Sequence, residues 1–171
     1  MRMYLICAGA LLVQACVQLP QTAEEFRSAV PGAAMMKTET YEVSRAFVDV
    51  AAALKSRGHE CLNVSVRTTS HQVGQSYQSY LTHYRATAFT SKQHAELHVQ
   101  QLHEGGGVIY PSEPPPGGVY MLVVDAYPAA PHRTRIELYG PAVGYRSLYR
   151  AIRGWASGAD LACPDMTNVS G

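Results

Sequence analysis

The sequence predicts an α+β fold, an antiparallel sheet of five to six strands with two helices packed on one face, and three observations lead there. Two segments, one near each end of the globular part, carry apolar residues at helical spacing. The stretch between them alternates apolar and polar residues, and short Gly, Pro and Ser-rich turns separate the alternating runs. The chain is 171 residues, 47% hydrophobic and 16% charged, which suits one cored domain and excludes wholesale disorder. A net charge of +1 removes the field with which a nucleic-acid binder collects phosphates, so no nucleic acid is expected as a partner.

The first regular element, from about Met35 to Val43, alternates as a strand with one half-buried face. Ser44 is placed to cap a helix over Arg45 to Arg57, in which Phe47, Val50, Ala51 and Leu54 form a stripe that Gly58 ends. Leu62, Val64 and Val66 alternate as a second strand directly after Cys61. Tyr77 to Thr90 is a long strand in which Tyr80 and Tyr84 share a face. His94 to His103 reads as strand or helix, and the hairpin-length Ser91-Lys92-Gln93 favours strand. Gly105 to Gly118 is too rich in proline and glycine for a sheet interior. Val119 to Tyr127 and Thr134 to Tyr139 make an apolar hairpin. The last helix, Tyr145 to Ser157, carries a stripe of Tyr145, Leu148, Tyr149, Ile152 and Trp155 with Arg146, Arg150 and Arg153 turned away, and Gly158 stops it.

This order, β-α-β-β-β-β-β-α, resembles the helix-grip arrangement, in which a curved antiparallel sheet wraps a C-terminal helix. Lys37-Thr38-Glu39 through the Ser44-capped helix, and the terminal Ile152-Arg153-Gly154-Trp155, carry the likeness. Proteins of that shape include small-molecule carriers and globular domains of outer-membrane lipoproteins. The resemblance therefore implies a small apolar ligand held between sheet and final helix, with Val123, Tyr149 and Ile152 as its expected lining.

At the N-terminus, Arg2 precedes an uncharged run from Met3 to Val13 and then the small residue Ala15, the pattern of a secretory signal peptide over residues 1–15. The run is well short of the ~20 residues that cross a bilayer as a helix. Val13-Gln14-Ala15-Cys16 resembles the lipobox of bacterial lipoproteins, with Val13 where leucine is usual and Gln14 where a small residue is usual. Ordinary cleavage after Ala15 is the alternative reading. The resemblance implies that Cys16 becomes the lipidated first residue. The absence of aspartate after it then implies sorting to the outer membrane, with the domain on the periplasmic face.

If Cys16 carries lipid, the mature chain keeps only Cys61 and Cys163, an even pair in an oxidising compartment, and a disulfide between them is expected. Closing a loop of roughly 100 residues would stabilise the fold by about 4.7 kcal/mol in the chain-entropy model. Removing residues 1–15 takes Arg2 and no acid, leaving 13 basic and 13 acidic groups. Residues 16–34 read as lipidated cysteine and tether, although Thr22 to Ala29 suits a turn of helix. Eighteen flexible residues span about 25 Å root-mean-square. Residues 35–165 are the single α+β domain and 166–171 a tail.

Chemistry is sparse. His83, His94, His98 and His103 fall close together, but on a strand His94 and His98 lie about 13 Å apart, too far to share one zinc ion, so no metal and no cofactor is expected. Asp125 interrupts an apolar strand and is expected to bond to a neighbouring hairpin or to an arginine such as Arg133 or Arg135. Ser70, His71 and Asp49 supply hydrolase residue types without the Gly-x-Ser-x-Gly elbow. The reading is a non-enzymatic envelope module, anchored to the membrane by lipid, contacting another envelope protein through a sheet edge or the loop at 105–118. The alternative is the small-ligand carrier.

Overall fold

A computed structural model describes residues 18–70, 78–105 and 110–167, so the signal segment, Cys16 and His71 lie outside the described residues. The strands are β1 (Met36–Val43), β2 (Ser65–Ser70), β3 (Gln78–Thr90), β4 (Ala95–Gly105), β5 (Val119–Ala130) and β6 (Arg133–Pro141); the helices are α1 (Ala23–Ala29), α2 (Phe47–Leu62) and α3 (Arg146–Ser157). All six strands join one sheet in the order β1-β6-β5-β4-β3-β2, each pair antiparallel, and the fold is α+β. Successive strands from β2 to β6 are neighbours because hairpins connect them. β1 closes the far edge on β6, and α2 crosses the sheet from the β1 edge to the β2 edge, packing on β3 to β6 and on α3.

The alternation read from the sequence decides the faces. Leu97 and Val99 of β4, Leu122, Val124 and Ala126 of β5, and Ile136 and Leu138 of β6 point to the face that α2 and α3 cover, where they meet Val50, Leu54, Leu148, Ile152 and Trp155. The α3 stripe is buried while Arg146, Arg150 and Arg153 are exposed, and Gly158 ends the helix at φ +90° with its N–H on Gly154 and Trp155 carbonyls. Residues 94–103 are strand, paired with β3 across the 91–93 turn.

Four local expectations need correction. α2 does not stop at Gly58 but runs to Leu62, because a Cβ at Gly58 would stand 2.7 Å from Leu97 Cδ1: the glycine lets the helix lie close on β4 instead of ending it. The strand expected directly after Cys61 begins only at Ser65, with Cys61 and Leu62 buried as the last turn of α2. Ser44 is not the cap; Ala46 holds that position without a side-chain hydrogen bond. β5 continues through Pro128, which the sheet accommodates by a register shift between Pro128 and Ala130.

The largest difference is at residues 16–34. Within that segment Thr22 caps α1 through its side chain, and Phe26 and Val30 bury themselves on Val123, with Met36, Tyr120 and Tyr139 packed around them. α1 thus lies on the sheet face opposite α2 and α3. The proposed tether is in large part an element of the domain. At the other terminus Met166 is buried in the main core, so the domain includes the start of the expected tail.

Cys61 and Cys163 form a disulfide with an S–S distance of 2.04 Å. It ties the segment after α3 to the end of α2. Arg57 and Trp155 both donate to the Leu161 carbonyl nearby, which holds that segment along the two helices.

Candidate functional site

Of the residues expected to line a ligand between sheet and final helix, Ile152 and Tyr149 belong to the main core, and Tyr149 also borders a groove of about 500 Å³ with Lys37, Tyr145 and Arg146. Ile152 is fully buried among the core residues. Tyr149 is also buried, its hydroxyl donating to the Pro141 carbonyl at 2.5 Å while the Lys37 ammonium lies 4.1 Å from its ring centre. Val123 cannot join them, because a period of two sends it to the α1 face between Leu122 and Val124, which point the other way.

An opening exists instead beyond the N-terminal end of α3. There β2, β3 and β4 present Val66 and Thr68, then Tyr80, Thr82 and Tyr84, then Gln101 and His103, all on the helix face because of the paired register Val66↔Thr82↔His103 and Tyr84↔Gln101. Tyr145 at the start of α3 and Met166 with Thr167 close the other side of a cleft of about 220 Å³. Thr82 shares a hydrogen bond of 2.8 Å with His103 Nδ1, and the Tyr80 ring meets the His103 imidazole edge-on at 5.9 Å. Burial pushes the Tyr84 hydroxyl up to about 12, with Tyr145 and Tyr80 close enough to add to the shift, and the same burial lowers His103. The cleft therefore offers uncharged hydroxyls, an amide and a neutral imidazole at pH 7. A larger groove of about 640 Å³ runs between α2 and β3, with its polar side chains Lys55, Ser56 and His59 exposed.

The sequence showed that Tyr80 and Tyr84 share a parity. It could not show that Tyr145, His103 and Met166 come to meet them, since those contacts depend on strand order and on the course of the chain after α3. Eleven tyrosines are as well explained by sheet propensity as by a site, so composition carried no signal either.

On the opposite face, Glu96 and Asp125 stand directly across from each other on β4 and β5. Arg27 of α1 reaches both, at 2.6 Å to Glu96 and 3.2 Å to Asp125. His94 donates to Asp125 at 2.6 Å and stacks on Tyr127, and His98 bonds Glu96 at 2.8 Å. Asp125 thus bonds His94 of the neighbouring β3–β4 hairpin, and the arginine it meets is Arg27 in place of Arg133 or Arg135. His98 and Arg27 hold the Glu96 carboxyl down at about 2, whereas burial pushes Asp125 up against the pull of His94 and Arg27. Ligand atoms of His94, Glu96 and Asp125 lie within 4.8 Å of one another, close enough to hold a metal ion. The cation that meets these carboxylates in the structure is the Arg27 guanidinium, and the group acts as the clamp that fixes α1.

No family profile matches the sequence, and no curated protein matches it. Among solved structures, a conserved protein of Geobacillus kaustophilus is 14% identical, covering 71% of this chain and 92% of that one, with a TM-score of 0.35. A hypothetical protein of Helicobacter pylori is 12% identical over 87% of this chain and 96% of that one, with a TM-score of 0.38. A START superfamily protein of Mycobacterium smegmatis is 10% identical over 61% and 73%, with a TM-score of 0.29. These similarities are distant.

Proposed function

We propose that this chain is a bacterial envelope lipoprotein, anchored through Cys16 on the periplasmic face of the outer membrane, whose domain is a non-enzymatic binding module with its site in the tyrosine-lined cleft. The observation that carries the reading is the disulfide. Cys61 and Cys163 satisfy each other, so Cys16 is the one cysteine left in the chain after residue 15, where the lipobox resemblance places the acyl chains. A bridge of this kind persists outside the cytosol, in agreement with the signal-peptide pattern. Burial pushes the Tyr84 hydroxyl up and drives His103 toward its neutral form, so the cleft meets a ligand with uncharged hydrogen-bonding groups, which supports the reading as a binding site.

This reading replaces an apolar ligand against Tyr149 and Ile152 by a ligand at the N-terminal end of α3. A second envelope protein, if bound, finds β1 and β2 as the outer strands of the sheet. The test is intact mass of the membrane-extracted protein before and after reduction. Acylation on an N-terminal Cys16 together with a two-dalton gain on reduction is the expected result; an unacylated chain, or one starting elsewhere, overturns the anchor.

A further inference from the structure

We infer that the cleft between β2, β3, β4 and Tyr145 takes an uncharged, hydroxyl-rich ring of monosaccharide size. The inference deepens the binding-module reading and rests on it. Size sets the first limit: about 220 Å³ is the liquid volume of roughly seven waters, room for one six-membered ring with its substituents.

Charge sets the second. Among the described residues, no Lys, Arg, Asp or Glu lines the cleft, and His103 is driven toward its neutral form by burial. A charged ligand would lose its hydration there and meet no counter-charge. Hydrogen-bonding capacity sets the third. Tyr80, Tyr84, Tyr145 and Thr68 each both donate and accept through a hydroxyl, and Gln101 does so through its amide. Tyr84 is only 8% exposed, so an apolar ligand seated over it would strip water from its hydroxyl without replacing the bond. A ring bearing several hydroxyls answers donors and acceptors alike, and its C–H faces find the aromatic rings and the Met166 side chain.

The wall supplied by Met166 is itself a built feature. Met166 is 5% exposed and follows Cys163 by three residues, so the disulfide that pins this segment to α2 also completes the cleft. Ligand binding is accordingly expected to depend on the oxidised bridge.

The test uses the full mature chain, oxidised, in a zwitterionic detergent free of sugar. Glucose, galactose and N-acetylglucosamine serve as neutral rings, with glucuronate and decanoate as the charged and apolar contrasts, each followed by amide shift changes in the protein. At least one neutral ring is expected to shift amides of Tyr84, Gln101 and Tyr145. Its affinity should fall about tenfold in Tyr84→Phe, which deletes one hydroxyl and keeps the ring, and about as much in Met166→Ala, with the melting temperature of Tyr84→Phe unchanged. Decanoate or glucuronate shifting the same amides in place of the neutral rings overturns the ligand class and leaves the binding module standing. A cleft silent to every probe, or neutral-ring binding that survives Tyr84→Phe and Met166→Ala, overturns the inference. The anchor is judged separately, by mass.

Discussion

Arg27 shows how much one side chain can decide. Glu96 and Asp125 face each other across two hydrogen-bonded strands, an arrangement that repels unless a cation intervenes, and the Asp125 side chain is fully buried. Replacing Arg27 by Met keeps the aliphatic packing and removes the cation. The expected cost is about 3 kcal/mol in urea denaturation at pH 7, and adding Glu96→Gln and Asp125→Asn should restore most of it, since the repulsion goes with the charges. The pH dependence has a definite sign. Glu96 titrates near 2 in the fold against an ordinary 4.5, so its contribution is complete above 4.5 and is lost as pH falls toward 2. Asp125 is raised and works in the opposite sense, contributing most below its ordinary 3.8 and less as pH rises through its folded value. Because Glu96 holds Arg27 at the shorter distance, amide protection of Phe26 and Val30 should fall between pH 4.5 and 2 before that of Leu97 or Leu138.

At the scale of elements, α1 is the informative case. Seven residues are too few for a helix to persist alone in water, so α1 exists because Phe26 and Val30 find Val123 and because Arg27 finds its carboxylates. Phe26→Ala is therefore expected to cost about 3 kcal/mol, read by thermal unfolding, and to raise hydrogen exchange across α1 while leaving α3 protected. Equal loss of protection in both helices would mean that α1 is not a separable unit. α2 shows the converse. It continues past Gly58 to bury Cys61 and Leu62, and a glycine that reads as a stop in sequence is a point of close approach to Leu97 in the fold.

For the whole molecule, one covalent link and one docked segment set the behaviour. The disulfide closes a loop between residues 102 apart, and reduction is expected to lower stability by up to about 4.7 kcal/mol, measured as urea midpoints with and without reductant. The second is the docking of the N-terminal segment: the Leu19 N–H donates to Ser112 Oγ at 3.0 Å and Gln21 Nε2 donates to the Glu113 carbonyl at 3.1 Å. Leu19 follows Cys16 by three positions, a reach of about 10 Å when extended. With the anchor proposed here, the 110–118 loop is held beside the lipid headgroups, where a free tether would let the domain swing. A fluorophore on Glu113→Cys in nanodiscs should then be quenched by a headgroup-level quencher much more than one on Lys92→Cys, in the turn at the other end of the sheet. Equal quenching would show that α1 does not shorten the leash.

Much of this architecture was legible in local pattern. Alternation in 119–127 and 134–139 identified β5 and β6 and their inward residues, the stripe from Leu148 to Trp155 identified α3 and its buried face, and Gly158 marked its end. The cysteine count anticipated the Cys61–Cys163 bridge. These features are written within a few residues of themselves, or in arithmetic that needs no coordinates. Tertiary structure alone decided which face Val123 serves, what neutralises Asp125, and where the cleft lies. Arg27 and Asp125 are 98 residues apart, and His103 and Tyr145 meet only after a sheet order has been chosen, so no window of sequence contains both partners. Burial and charge pairing across such distances are properties of the folded chain, because they depend on which surfaces are brought together and freed of water.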